Sequence, residues 1–509
     1  MNLAKIMKCI RPFPPAISHL KRVVLMLCLL LCALLVACSG NSSSSSDSSS
    51  SSYSSRSSDN SRSSDSSRSS RSDSGSSNSN RTDSETEAPS DAADSKALNA
   101  CAMAINALSA EENRDAPINP AASSSNSQPV VEYDASQNII IVQEGSNVTL
   151  SQISNLLNQP HILLEMRPGE WLLSAHLLIQ KKASMRIAAP EVRWLKLASY
   201  QGGFSWIKVR GGQLDFIDTC VTSWNPQKKS YDQNVEDGRS FVLARDRARM
   251  NIYNSELSYL GYDADESYGV AWRLAGTSGE MIDSTFGYNY YGLYAYQASG
   301  LVIRGNEVHH SVKYGIDPHT KSNQLLIEDN LSHHNGKHGI ILAEGCSSSI
   351  IRNNETHNNS LHGIVIYQQS NHNWIEGNIS YANGTQGINI NNSDKNTVRN
   401  NIVFDNTQAG IGIASGSNDN LVVNNQVYEN KRDGIYIFNK SNHNLVEENN
   451  IHHNTRYGIY IKSEKNNAKN NQVFSNLVGI YLKLGKPSTI SLDHNQIYDN
   501  RTGEIEIQD

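Results

Sequence analysis

The chain has 509 residues, of which 18% are charged, with a formal net charge of −6 and seven cysteines. That balance, with no basic run, argues against a nucleic-acid binder, so any grip on an acidic polymer must come from locally placed positive charge. No Cys-x-x-Cys pair or Cys/His spacing suggests a metal centre.

Residues 1–37 read as an export signal. Lys21 and Arg22 precede the apolar run VVLMLCLLLCALLVA, which is short for a spanning helix and ends at Cys38. Leu35-Val36-Ala37-Cys38 resembles the bacterial lipoprotein box, which implies that Cys38 is lipidated and anchors the chain to a membrane. By the same resemblance Ser39 favours the outer membrane, with the protein facing the periplasm or the cell surface. The alternatives are a plain signal peptide or an uncleaved anchor. Residues 38–95 are mostly Ser with interspersed Asp, Arg and Asn, too polar to offset ordering entropy, and read as a disordered tether. Residues 96–128, opening on KALNACAMAINAL, read as a helical or cap segment. Cys220 and Cys346 read as buried free thiols.

Residues 129–509 carry strand patterns. The first of them, including IIIVQEG and HILLEMRPGEWLL, are irregular and read as early coils of the repeat that follows. That repeat has a period of about 24 residues. An x-G-I strand recurs at Gly315, Gly339, Gly363, Gly387, Gly410, Gly434 and Gly458, and an asparagine keeps step at Asn330, Asn354, Asn378, Asn401 and Asn425. One such unit cannot bury its apolar face, whereas a stack of them can. The expected fold is all-β: a right-handed parallel β-helix solenoid with about 24 residues per coil and an Asn ladder at one corner. These asparagines are given no chemistry.

Strand alternation sends Ile364, Ile366, Ile388 and Ile390 into the core. In YGIDPHTKS (314–322) the same frame turns Ile316 and Pro318 inward and Asp317 and His319 outward. Neighbouring coils extend that outward row through Tyr294 and Tyr296, Ile341 and Ala343, Val365 and Tyr367, then Asn389 and Asn391, a track suited to a long polar polymer. Asp317 is expected to hold the His319 ring and raise its basicity, with Tyr314 as a proton-donating hydroxyl. The plainer reading makes all of these turn and surface residues. The histidines of the NxxHHN corners (His309, His310, His333, His334, His452 and His453) read as structural or solvent-facing.

YGIDPHTKS closely resembles the DPHD-type signature of the periplasmic mannuronan C5-epimerases. YLGYDADESYG (259–269) and NEVHHSVKYGIDPH (306–319) followed by KHGII (337–341) resemble further blocks of that family in the same order, and the likeness runs from about residue 130 to the end. The resemblance implies C5-epimerisation of mannuronate to guluronate within alginate, on an anionic polysaccharide, with no redox cofactor or metal. It implies His319 as the base, Asp317 as its orienting partner, and Tyr314 or a water it holds as the acid on the opposite face. Two positions depart from the family. Thr320 stands where the fourth motif residue is usually acidic, and Glu344 stands where an arginine neutralises the substrate carboxylate. Lys313, Lys321 and Lys337 are the cations at hand to replace it, and Glu344, Tyr296, Tyr367 and Asn391 complete the expected substrate track. A polyuronate lyase and a non-catalytic polysaccharide-binding or assembly protein are the alternatives, and alginate secretion machinery is a further expected partner.

Overall fold

The structure, a computed structural model, describes residues 128–484 and 490–508. The expected export signal, Cys38 and the tether lie outside the described residues, as does all but the last residue of the expected 96–128 segment. From Val130 onward the chain is a parallel β-solenoid. Each regular coil lays down three short strands, as in Ile316–His319, Leu326–Glu328 and Leu331–His333. Each strand pairs in parallel with its counterpart on the next coil, Ile340 with Ile364 and Leu342 with Ile366, for example.

The repeat folds this way because every second strand residue is a branched aliphatic. Ile316, Ile340, Ile364, Ile388, Ile411, Ile435 and Ile459 stack inside at 0% exposure. Each such burial stabilises by about 1.5–3 kcal/mol, and only stacking achieves it. The repeated glycine is a packing requirement. A Cβ at Gly363 would lie 2.1 Å from Ser380 Oγ and 2.7 Å from the Gly387 carbonyl oxygen.

Among the described residues the asparagines form three ladders, not one. The expected ladder runs through Asn330, Asn354 and Asn378, each Nδ2 donating to the next Oδ1 at 2.9–3.0 Å. A second runs through Asn335, Asn359 and Asn383, and a third through Asn373, Asn396 and Asn420. Every bend of the coil buries backbone amides, and a stacked carboxamide satisfies them from coil to coil. The corner histidines join an aromatic stack. His333, His357, Tyr381, Phe404, Tyr428 and His452 follow one another at 4.9–5.1 Å, which is close to the strand spacing of about 4.8 Å.

The early coils depart from the expectation in two ways. A helix, Leu150–Leu157, follows the antiparallel pair Val130–Asp134 and Ile139–Val148 and puts Leu150 and Ile153 into the core. Thr149 and Gln152 form a capping box around its first turn. Cys220 is not a free thiol: it is disulfide-bonded. Cys346 is a buried free thiol, as expected.

Candidate active site on the outward row

The strand Ile316–His319 lies beside Tyr291–Tyr296, with Asp317 opposite Tyr294 and His319 opposite Tyr296. Pro318 points inward, near Trp272, Met281 and Leu293. Lacking an N–H, it withdraws a ladder donor, and the registered pairing with the following coil shrinks to Ile316 opposite Ile340. The backbone after it is strained: Thr320 has φ +32° and Glu344, on the next coil, +58°. A β-branched residue held there marks a conformation imposed by its surroundings.

This backbone brings three side chains into line. The Thr320 hydroxyl donates to Glu344 Oε2 at 2.7 Å, and its oxygen lies 2.8 Å from His319 Nδ1. With its one proton committed to Glu344, the hydroxyl must accept from the ring, so the imidazole proton belongs on Nδ1 and Nε2 keeps a free lone pair. Burial lowers the pKa of His319, opposed by the charge of Glu344 3.5 Å from Nδ1. The ring is therefore neutral at pH 7 and able to accept a proton. The two departures from the family signature are thus one device.

Asp317 does not orient His319, contrary to expectation. It occupies the outward row, but it is 0% exposed and neither carboxyl oxygen has a hydrogen-bond partner. Burial, and then the nearby Glu344, push its pKa well above the usual carboxylate range, while Lys337 pulls the other way. Tyr294 stands beside Asp317 in register and belongs to a cluster of rings, with Tyr268, Tyr291 and Tyr314 following at 4.9–5.5 Å. Tyr294, expected on the open track, is part of that cluster and only 6% exposed.

Tyr314 and His319 are joined through two rings. Tyr314 contacts Tyr291 at 5.5 Å, Tyr291 contacts Tyr294 at 5.4 Å, and Tyr294 contacts His319 at 6.1 Å. Behind Tyr314 stack His338 at 5.1 Å and His362 at a further 4.9 Å. The Lys337 ammonium donates to the Tyr314 hydroxyl at 3.4 Å. Burial and the charge of Asp317 raise the Tyr314 pKa, so the phenol is protonated at neutral pH.

The remaining expected residues divide. Tyr296 shares the row with His319 and carries the Arg273 guanidinium at 4.8 Å. Tyr367 and Asn391 are in register with each other farther along, and Tyr367 is 41% exposed. The Lys321 backbone N–H donates to the Glu344 carbonyl at 2.9 Å. Lys313 turns aside over the Tyr290 ring, its ammonium 5.6 Å away.

Sequence reasoning missed a lane of cations. Arg210, Arg245 and Arg273 stand in register on successive coils, leading through Tyr296 to His319, and Lys208 sits on the adjoining row. The acids of the segment Tyr262–Tyr268 hold this lane. Glu266 bonds Arg245 and lies 3.8 Å from Lys208, and Asp265 bonds Arg273 at 2.5 Å. The early coils lack the regular period, so nothing in the spacing aligned these arginines.

The family model described as "right handed beta helix region" matches residues 221–380 and 341–502. A mannuronan C5-epimerase of Pseudomonas aeruginosa is 31% identical over 196 residues, 36% of this chain and 35% of that protein. The mannuronan C5-epimerase AlgG of Azotobacter vinelandii is 31% identical over 198 residues, 36% of each chain. The matched segment thus spans about a third of the length of these relatives. The crystal structure of the periplasmic alginate epimerase AlgG superposes with a TM-score of 0.61 at 24% identity, over 70% of this chain and 84% of that one.

Proposed function

The chain belongs to the right-handed β-helix family, and on that premise we propose that its outward row is the active site of a mannuronan C5-epimerase. The substrate is a β-D-mannuronate polymer, and the product carries α-L-guluronate. The observation that carries this reading is the line His319–Thr320–Glu344, which leaves Nε2 free to accept a proton.

The C5 proton of a uronate is weakly acidic until its carboxylate is neutralised. Lys337 and Lys321 beside the site and the arginine lane leading to it supply positive charge. His319 Nε2 takes the C5 proton, and the imidazolium formed is stabilised by Glu344 through the Thr320 hydroxyl. The Tyr314 phenol returns a proton to the opposite face of C5. The Lys337 ammonium stabilises the phenolate left behind, and solvent resets both groups. Glu344 therefore serves the ring rather than the substrate carboxylate. The export signal, lipidation at Cys38, attachment to the outer membrane and contact with alginate secretion machinery belong to the same reading: a tethered enzyme meeting its polymer outside the cytoplasm.

Incubation of polymannuronate with the purified protein tests the proposal. New guluronate signals without ultraviolet absorbance support it. Absorbance from unsaturated ends would move the same residues to a lyase, and binding without any product would leave a polysaccharide-binding protein.

A further inference from the structure

Well beyond His319, the same outward face holds a cavity of about 280 Å³, lined by residues that include Gln386, Arg432, Tyr436, Phe438, Arg456 and Tyr460. The strand register carries the row of Asp317 through Val365, Asn389 and Gly412 to Tyr436. Five coils at about 4.8 Å each put this cavity about 24 Å along the solenoid.

The cavity is built from a particular local arrangement. A Cβ on Gly412 would lie 2.8 Å from Tyr436 Cζ, so the glycine lets the tyrosine ring lie back over the preceding coil. There the Tyr436 hydroxyl meets Gln386 Nε2 at 2.9 Å. Phe438 packs against Tyr436 with ring centres 4.9 Å apart. Arg456 is fixed by two bonds, of 2.8 and 2.6 Å, to the buried Asp433 carboxylate, and its guanidinium lies 5.5 Å from the Tyr460 ring.

Two groups there remain uncommitted. Gln386 is 6% exposed, and its Oε1 is buried without a donor. Arg432 has no acid partner among the described residues, whereas Arg456 beside it does. An unpaired buried acceptor calls for a hydroxyl donor, aromatic faces for the apolar face of a ring, and a spare guanidinium for a carboxylate.

We propose that this cavity is a second, non-catalytic uronate subsite that holds the polymer while a distant ring reacts at His319. The inference rests on the uronate reading above and deepens it. A polymer spanning both places gains affinity by effective concentration, which short oligomers cannot.

The test is calorimetric titration of the full chain with mannuronate oligomers of graded length, in the wild type and in Arg432→Gln. Wild-type affinity is expected to step up at least tenfold once an oligomer spans both places, and Arg432→Gln is expected to lose that step. A step of unchanged size in Arg432→Gln overturns the subsite while leaving the epimerase reading intact. If the wild type neither binds nor converts mannuronate, the functional reading fails instead. The cavity is then judged by the same titration with polygalacturonate oligomers, where equal wild-type and Arg432→Gln affinities overturn it.

Discussion

His319 Nδ1 faces the Thr320 hydroxyl oxygen at 2.8 Å, and that hydroxyl gives its proton to Glu344. The arrangement fixes the tautomer of the ring without using the aspartate two residues before it. Thr320→Val should therefore lower kcat by about 10–100-fold, up to the low end of what proton-transfer catalysis contributes, while the melting temperature stays within a degree or two. Thr320→Ser keeps the hydroxyl and should restore most of the rate. Equal losses in both variants would remove the hydroxyl from the proton path.

Asp317 bears on stability in the opposite sense to most carboxylates. Its folded pKa is raised, so its favourable contribution is complete below the unfolded value near 3.8 and is lost as pH rises through the folded value. Asp317→Asn removes a buried ionisable group with no partner. It should raise the melting temperature at pH 8 by more than at pH 4, and it should lower turnover. A variant less stable than wild type at pH 8 would mean that the carboxylate has a partner in solution.

The histidines stacked behind Tyr314 make the site sensitive to acid. Burial holds His338 at about 3 and His362 at about 4, against 6.5 in an unfolded chain. As pH falls the unfolded chain takes up these protons first, so stability is full above pH 6.5 and drains between 6.5 and about 3. His338→Phe/His362→Phe keeps the stack and cannot protonate. Its melting temperature should fall less than that of the wild type between pH 7 and 4.5, and an identical fall would contradict the assignment.

The ladder asparagines should be among the costliest polar residues to remove. Asn378 accepts from the N–H and Nδ2 of Asn354 and donates to Asn401 and to the Ile351 carbonyl. Asn378→Ala strands several of these buried groups, at about 1–3 kcal/mol each. The exposed Gln472→Ala, at a strand position outside the ladders, should cost less than about 0.5 kcal/mol. Comparable melting temperatures for the two variants would show that the ladder is replaceable by water.

Much of this architecture was legible in the sequence because the period is strict. A 24-residue step with glycine, isoleucine and asparagine in fixed phase gave the solenoid, its core and the outward facing of Asp317 and His319. The burial of Asp317 was not legible, because the ring cluster beside it includes Tyr268, some 50 residues earlier in a coil that does not keep the period. The arginine lane was hidden for the same reason. Thr320 and Glu344 stood out only as departures, since a hydrogen bond between adjacent coils is set by backbone φ that no periodicity reveals. The second and third ladders read as ordinary polar turns, which differ from ladder corners only in what lies above and below them.

The arginine lane should appear in binding rather than chemistry. Arg245→Gln removes one of three registered guanidinium groups without touching His319. It should raise KM several-fold with a smaller change in kcat, and the difference should shrink as salt rises toward 1 M, where the screening length is about 3 Å. A loss confined to kcat would place Arg245 in the chemical step.

The most direct test of His319 as the base is proton NMR of polymannuronate incubated in deuterated water with the wild type and with His319→Gln. The expected result is guluronate carrying deuterium at C5 with the wild type and no exchange with His319→Gln, at matched melting temperatures. Deuterium incorporation at an equal rate by both proteins would contradict it, because C5 would then be losing its proton to another group.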